Sequence, residues 1–113
     1  MLKNINRLKK GKDFDKIFKK GRGFKENFIL LKIIKNNLGL KRFGFIISQK
    51  VSKKATIRNK LKRKLRKLIE VEFNKIKEGI DGIFIALPGL ENKDYQELKE
   101  IIDKILKKAK VLK

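Results

Sequence analysis

Twelve basic residues and no acidic one lie between Lys41 and Lys67. At this density, guanidinium and ammonium groups do the chemistry of phosphate neutralisation: an arginine fork grips two phosphate oxygens at once, and a lysine adds a point charge. Within the run, Asn59, Lys62, Arg63 and Arg66 fall together on a helical wheel at about 100° per residue, with Lys60, Lys64 and Lys67 flanking them. Faces that only solubilise intersperse both signs, so the missing acids point to a polyanionic partner. From Glu91 to Lys113, by contrast, seven lysines stand against five acids. Residues for covalent or metal chemistry are scarce. The 113-residue chain has no Cys and no His, which excludes thiolate nucleophiles, disulfides, thiolate or imidazole metal sites and serine–histidine triads. Asp13 with Asp15, and Glu70 with Glu72, are the carboxylate candidates for a protein-only nuclease. Residues two apart on a helix point to different sides, so neither pair makes a convincing two-metal clamp.

These groups need a scaffold, and 41% hydrophobic residues with eight Phe suffice for one core beneath a net charge of +21. Phe14, Ile17 and Phe18, followed by Gly21, predict a short helix over 12–19. The apolar runs Phe28 to Ile34 and Arg42 to Ile47 flank the turn-like Asn36 to Gly39, which predicts two antiparallel strands joined by that turn. Residues 22–26 form a short extra strand or a loop leading into them. From about residue 55, Ile57, Leu61, Leu65, Leu68, Ile69, Phe73 and Ile76 mark one stripe of a long helix ending near Gly79, capped by Ser52 or Thr56. Gly82 to Leu87 reads as a buried strand. Tyr95, Leu98, Ile101, Ile102, Ile105, Leu106 and Ala109 trace a last helix. The expectation is an α+β domain spanning 1–113, helices against one small mixed sheet, with 1–10 a flexible basic N-terminus. The longest apolar runs fall far short of the roughly 20 residues of a membrane span, and the first residues lack an apolar signal region, so a cytoplasmic protein is expected. Charge alone does not separate DNA, RNA and anionic membrane as partners, although a stripe with companion strands favours burial in a fold over a bilayer. By spacing alone, Phe14 and Phe18 read as core; the same pair can stack on unpaired bases.

The stretch Phe43-Gly-Phe-Ile-Ile-Ser48-Gln-Lys50-Val-Ser-Lys-Lys-Ala-Thr-Ile-Arg58-Asn59-Lys60-Leu-Lys62-Arg63-Lys-Leu-Arg66 resembles the protein subunit of bacterial ribonuclease P. So does the N-terminal series Arg7-Leu8-Lys9-Lys10, Asp13-Phe14, Ile17-Phe18 and Gly21. Three departures stand out: Gln49 replaces a usual lysine, Ser52 and Lys53 stand where Gly-Asn is common, and Lys60 replaces an arginine, which keeps charge but not the bidentate fork.

The resemblance implies an α-β-β-β-α-β-α order with a left-handed β-α-β crossover, similar to a domain of ribosomal proteins. It further implies that an RNA subunit carries the active site and most of the magnesium, and removes the 5′ leader of precursor tRNA. The protein then contributes no catalytic residue. Lys53, Lys54, Arg58, Asn59, Lys60, Lys62, Arg63, Arg66 and Lys67 would lie against the catalytic RNA. Phe14, Phe18, Leu31, Phe45, Ile47 and Lys50 would line a cleft for the leader. Ribonuclease P RNA and precursor tRNA are the implied partners, with neither DNA nor membrane expected. The competing reading from size and charge is a small ribosomal-type RNA-binding protein with no role in catalysis.

Overall fold

The computed structural model describes residues 6–8 and 11–113. Most of the expected N-terminal tail, including Lys9 and Lys10 of the basic series, lies outside the described residues. The elements run α1 (Gly11–Lys20), β1 (Arg22–Glu26), β2 (Ile29–Lys35), β3 (Lys41–Ile46), α2 (Ala55–Glu72), β4 (Ile80–Ala86) and α3 (Tyr95–Lys108), with single 3-10 turns at Phe73–Lys75 and Leu90–Asn92. This is the expected α-β-β-β-α-β-α order, and residues 22–26 form a strand.

The expected hairpin of β2 and β3 does not form. The sheet order is β1-β2-β4-β3, with β4 antiparallel to β2 and parallel to β3. β4 is buried along nearly its whole length, so it takes an interior position with both edges paired. The 36–40 turn still exists, and it straddles the entry to β4. Asn36 N–H donates to the Gly79 carbonyl, and Gly79 N–H donates to that of Leu40.

Strand alternation sorts the side chains into two layers. Ile29, Leu31, Phe43, Phe45, Phe84 and Ala86 face α2 and α3 in the main core. Phe84 lies at its centre, with ring centroids 6.0 Å from Phe43 and 5.6 Å from Phe45. On the opposite face Ile17 of α1, Leu8 and Ile83 form a smaller core, with Phe14, Ile34, Ile46 and Ile85 half-buried around it. The described N-terminal residues join the sheet at its β3 edge, where Leu8 N–H donates to the Phe43 carbonyl.

α2 buries Leu61, Leu65, Leu68 and Ile69 as expected, whereas Ile57 is exposed and Ile76 lies beyond the helix. The helix stops at Glu72 because the chain must reverse into β4, and Ile76 instead bridges Leu112 in extended conformation. Neither Ser52 nor Thr56 caps it. Lys54 holds the N-cap position without a side-chain bond, while Ser52 Oγ accepts from Lys54 N–H in a local turn. α3 is capped by Asp94, which accepts from Glu97 N–H while the Glu97 carboxylate accepts from Asp94 N–H. Tyr95 sits in the first turn and is exposed, so the buried stripe of α3 begins at Leu98.

Two buried polar anchors follow, one within the sheet and one from the sheet to the end of α2. Arg42 donates from Nε and Nη2 to the two oxygens of Asp81, at 2.9 and 2.6 Å, and Asn36 Nδ2 donates to the same carboxylate at 2.7 Å. Lys41 Nζ donates to the Phe73 carbonyl beyond the end of α2 and lies 4.4 Å from the Phe73 ring centroid. Both are favourable placements for a cation at a helix C-terminus. Burial pulls the Lys41 ammonium below the ordinary lysine value of 10.5, Lys113 adds to the depression, and Glu78 opposes it. Between that lowered value and 10.5 the unfolded chain holds the extra proton, so stability from this group rises with pH across the window. Urea unfolding midpoints taken at rising pH up to 10.5 are therefore expected to rise less in Lys41→Met than in the wild type. An unchanged rise would exclude Lys41 as its source.

Candidate nucleic-acid interface

α2 lies against the sheet through its leucines, and its outward surface is cationic. Asn59, Lys60, Arg63 and Lys67 are exposed, and Lys62, Lys64 and Arg66 are half-buried at the margins. The basic side of the wheel therefore lies away from the leucines, but its centre shifts: Lys62 and Arg66, expected mid-face, are half-buried at the margin, whereas Lys60 and Lys67, expected on the flanks, are exposed. Lys53 and Lys54 are exposed in the turn leading into the helix. Arg58 is partly committed elsewhere: its Nη1 donates to the Ser52 carbonyl at 2.8 Å and braces that turn.

Lys62 and Arg66 meet the other layer at the β3 edge. With Arg7, Phe14, Gly44 and Phe45 they line a recess of about 190 Å³. Gly44 is required here, because a Cβ at that position would stand 2.7 Å from the Phe14 ring. Burial, then the charge of Arg66, lowers the Lys62 ammonium below its ordinary range. Burial and Arg7 do the same to the Arg66 guanidinium. Positive groups that depress one another in this way are relieved by an incoming anion.

Alternation divides the residues expected to line one cleft. Phe14 and Phe18 lie on the α1 side of the sheet, whereas Leu31 is 0% exposed on the other side, inside the main core. Phe45 is stacked on Phe84, and Ile47 is packed against the same core. A strand residue one position away faces the opposite layer, so an error of one register step exchanges the faces. The side chains that share the face with Phe18 are Leu30, Lys32, Ile46 and Ile85. Lys32 was the available clue: a lysine amid the apolar residues of β2 marks the face left open to water. Phe18 is 39% exposed, Lys32 Nζ lies 5.6 Å from its ring centroid, and that ammonium donates to the Phe18 carbonyl at 3.3 Å. Lys50 is exposed in the loop before α2, where its N–H donates to Ser48 Oγ.

At least two of the four candidate carboxylates are paired with cations. Asp13 lies 3.7 Å from Arg42, and the buried Glu72 lies 3.6 Å from Lys75. Among the described residues no three acidic side chains converge on a point that would hold a metal ion. No helix among them is long and apolar enough to cross a membrane.

Known proteins share this sequence and this fold. Residues 2–110 match the sequence model of the family described as Ribonuclease P. The chain is 37% identical to the ribonuclease P protein component of Pseudanabaena sp. (strain PCC 6903), covering 99% of this chain and 97% of the relative. It is 34% identical to that of Alkaliphilus oremlandii (strain OhILAs), covering 98% and 96%. Among solved structures, the RNase P protein of Staphylococcus aureus superposes with a TM-score of 0.89 at 29% identity, over 96% of this chain and 98% of that one. The Thermotoga maritima RNase P protein superposes at 0.82 and 30% identity, over 90% and 96%.

Proposed function

Because the chain belongs to the ribonuclease P protein family, we propose that it binds ribonuclease P RNA through the outer face of α2 and holds the 5′ leader of precursor tRNA on the α1 side of the sheet. The observation that carries this reading is the junction of the two surfaces, where Lys62 and Arg66 of the cationic helix face share one recess with Phe14.

On the helix, Arg63 and Arg66 supply forks for phosphate oxygens, and Asn59, Lys60, Lys62 and Lys67 add donors and charge around them. On the sheet face, Phe18 offers an exposed ring for an unpaired base beside the Lys32 ammonium, with Leu30, Ile46 and Ile85 as an apolar floor. Both surfaces lower the repulsion between two polyanions that must approach each other. Hydrolysis of the phosphodiester belongs to the RNA in this proposal, and so does the magnesium, as membership of the family implies.

The test is cleavage of a leader-bearing precursor tRNA by a bacterial ribonuclease P RNA at low magnesium, with and without the protein. Accurate cleavage restored only when RNA and protein are both present supports the subunit role. Binding without any effect on cleavage would instead favour the ribosomal-type module. Phe18→Ala is expected to weaken binding of a leader-bearing precursor by about 1–3 kcal/mol, the stacking contribution of one base, with mature tRNA binding unchanged. Equal losses for precursor and mature tRNA in a binding titration would remove Phe18 from the leader surface.

A further inference from the structure

Ile57 belongs by spacing to the apolar stripe of α2, yet it is 38% exposed. It lines a recess of about 210 Å³, with Lys60 and Lys64 of α2 on one side and Glu91, Asn92 and Lys93 of the segment before α3 on the other. The wall on the α3 side is held from behind. Phe28, in the turn between β1 and β2, has a left-handed backbone (φ 63°) where glycine is the ordinary choice. Its ring packs on Gly89, where a Cβ would stand 2.8 Å from it. The Lys93 ammonium lies 5.2 Å from the centroid of that ring and 3.8 Å from the Glu97 carboxylate, so Lys93 is fixed from two directions. Glu91 turns one carboxylate oxygen back to accept from Gly89 N–H at 2.6 Å. Among the described residues, the Asn92 amide has no hydrogen-bond partner, and Lys60 and Lys64 form no ion pair.

Resting on the subunit reading above, we infer that this recess takes one unpaired base of ribonuclease P RNA, with the adjoining phosphates on Lys60 and Lys64. Its size fits one group of a larger partner, since a whole small-molecule ligand fills roughly 300–1,000 Å³. The two sides differ in charge, and this sets the orientation. Ammonium groups on α2 attract phosphate, whereas the Glu91 carboxylate repels it, so the base faces the segment before α3. There the Asn92 amide offers a donor and an acceptor, the second Glu91 oxygen accepts, and Ile57 covers part of the base plane. A base already paired in a helix has its edge occupied and stays stacked, so the occupant is unpaired. The recess is continuous with the cationic surface of α2 through Lys60. It stands among residues of the main core, on the other side of the sheet from Phe18, which assigns it to the catalytic RNA and not to the leader. A second copy of the chain, itself at +21, is repelled from these lysines.

The test uses the complex reconstituted with full-length ribonuclease P RNA. The chain has no Cys, so Asn92→Cys carries a single short photo-crosslinker. Cross-linking is expected mainly at one nucleotide outside the RNA helices. Removing the base of that nucleotide should weaken wild-type binding by about tenfold, the scale of one base contact. Asn92→Ala should show a similar loss with intact RNA and lose little more when the base is absent, because both changes delete the same contact. Asn92 is exposed, so the urea melt of Asn92→Ala should match the wild type. Leu38→Ala alters an exposed residue of the 36–40 turn at the other end of the sheet, and it should keep both the wild-type affinity and the full tenfold penalty. Cross-links confined to helical RNA, or additive losses in Asn92→Ala, would overturn the base site and leave the subunit reading standing. Wild-type protein that neither binds the RNA nor restores cleavage at low magnesium would overturn both.

Discussion

Between about 50 and 200 mM salt, the affinity of this protein for ribonuclease P RNA is expected to fall by about 10³ to 10⁵, the loss that accompanies about six to ten phosphate contacts. The outer face of α2, together with Lys53 and Lys54 before it, supplies cations for that many contacts, and no acid interrupts the run from Lys41 to Lys67. Arg63→Ala and Arg66→Ala should each lower affinity and flatten the log–log salt slope by about 0.7–0.9, the share of one phosphate. Removing Arg66 also relieves its repulsion with Lys62 and Arg7, so no loss of folding stability is expected from that charge. Leu65, on the opposite side of the same helix, is fully buried. Leu65→Ala should keep the salt slope and cost about 2–5 kcal/mol of stability. Filter-binding titrations at several salt concentrations, paired with urea melts, separate the two faces. Loss of RNA affinity in Leu65→Ala at an unchanged melting temperature would show that the faces are assigned the wrong way round.

Phe84→Ala is expected to remove about 3–5 kcal/mol, the range for deleting a buried aromatic ring. Phe84 is fully buried on the central strand and touches the rings of both Phe43 and Phe45, so the cavity would open where the sheet meets α2 and α3. Domains of this size carry about 5–15 kcal/mol in total, and a net charge of +21 works against compaction. The free variant should therefore be largely unfolded in low salt. RNA binds the folded state, and at a concentration 1,000 times its dissociation constant it contributes about 4.1 kcal/mol, which should restore the fold. Circular dichroism of the variant with and without sulfate or RNA checks both halves of this expectation. A variant that melts like the wild type would mean that the ring is not a core element.

The cationic surface could be read from the sequence because a helix repeats every 3.6 residues. Leu61, Leu65 and Leu68 define one side, and Asn59, Arg63 and Arg66 are then assigned to the other by local geometry alone. The same locality made α1 and α3 legible, and the motif around Arg58, Asn59 and Arg63 carried the family resemblance. Two of the helix-end expectations failed because ends depend on what the chain meets. Ile76 leaves α2 to pair with Leu112, and the Lys41 ammonium reaches the Phe73 carbonyl from another element.

Strand neighbours and strand faces were decided only by the tertiary structure. β4 enters between β2 and β3 from more than thirty positions downstream of either, and nothing in the turn at Asn36 to Gly39 announces that insertion. The Arg42–Asp81–Asn36 cluster follows from the same insertion, since its members become neighbours only after the sheet is assembled. Strand parity behaves similarly: apolar residues occur at odd and even positions of β2 alike, and although Lys32 marks the face left open to water, nothing local says which helix borders that face. Charge and helical period are properties of adjacent residues and are written locally in the chain. Sheet order and the choice of face come from burying distant apolar segments against one another, and so they exist only in the folded molecule.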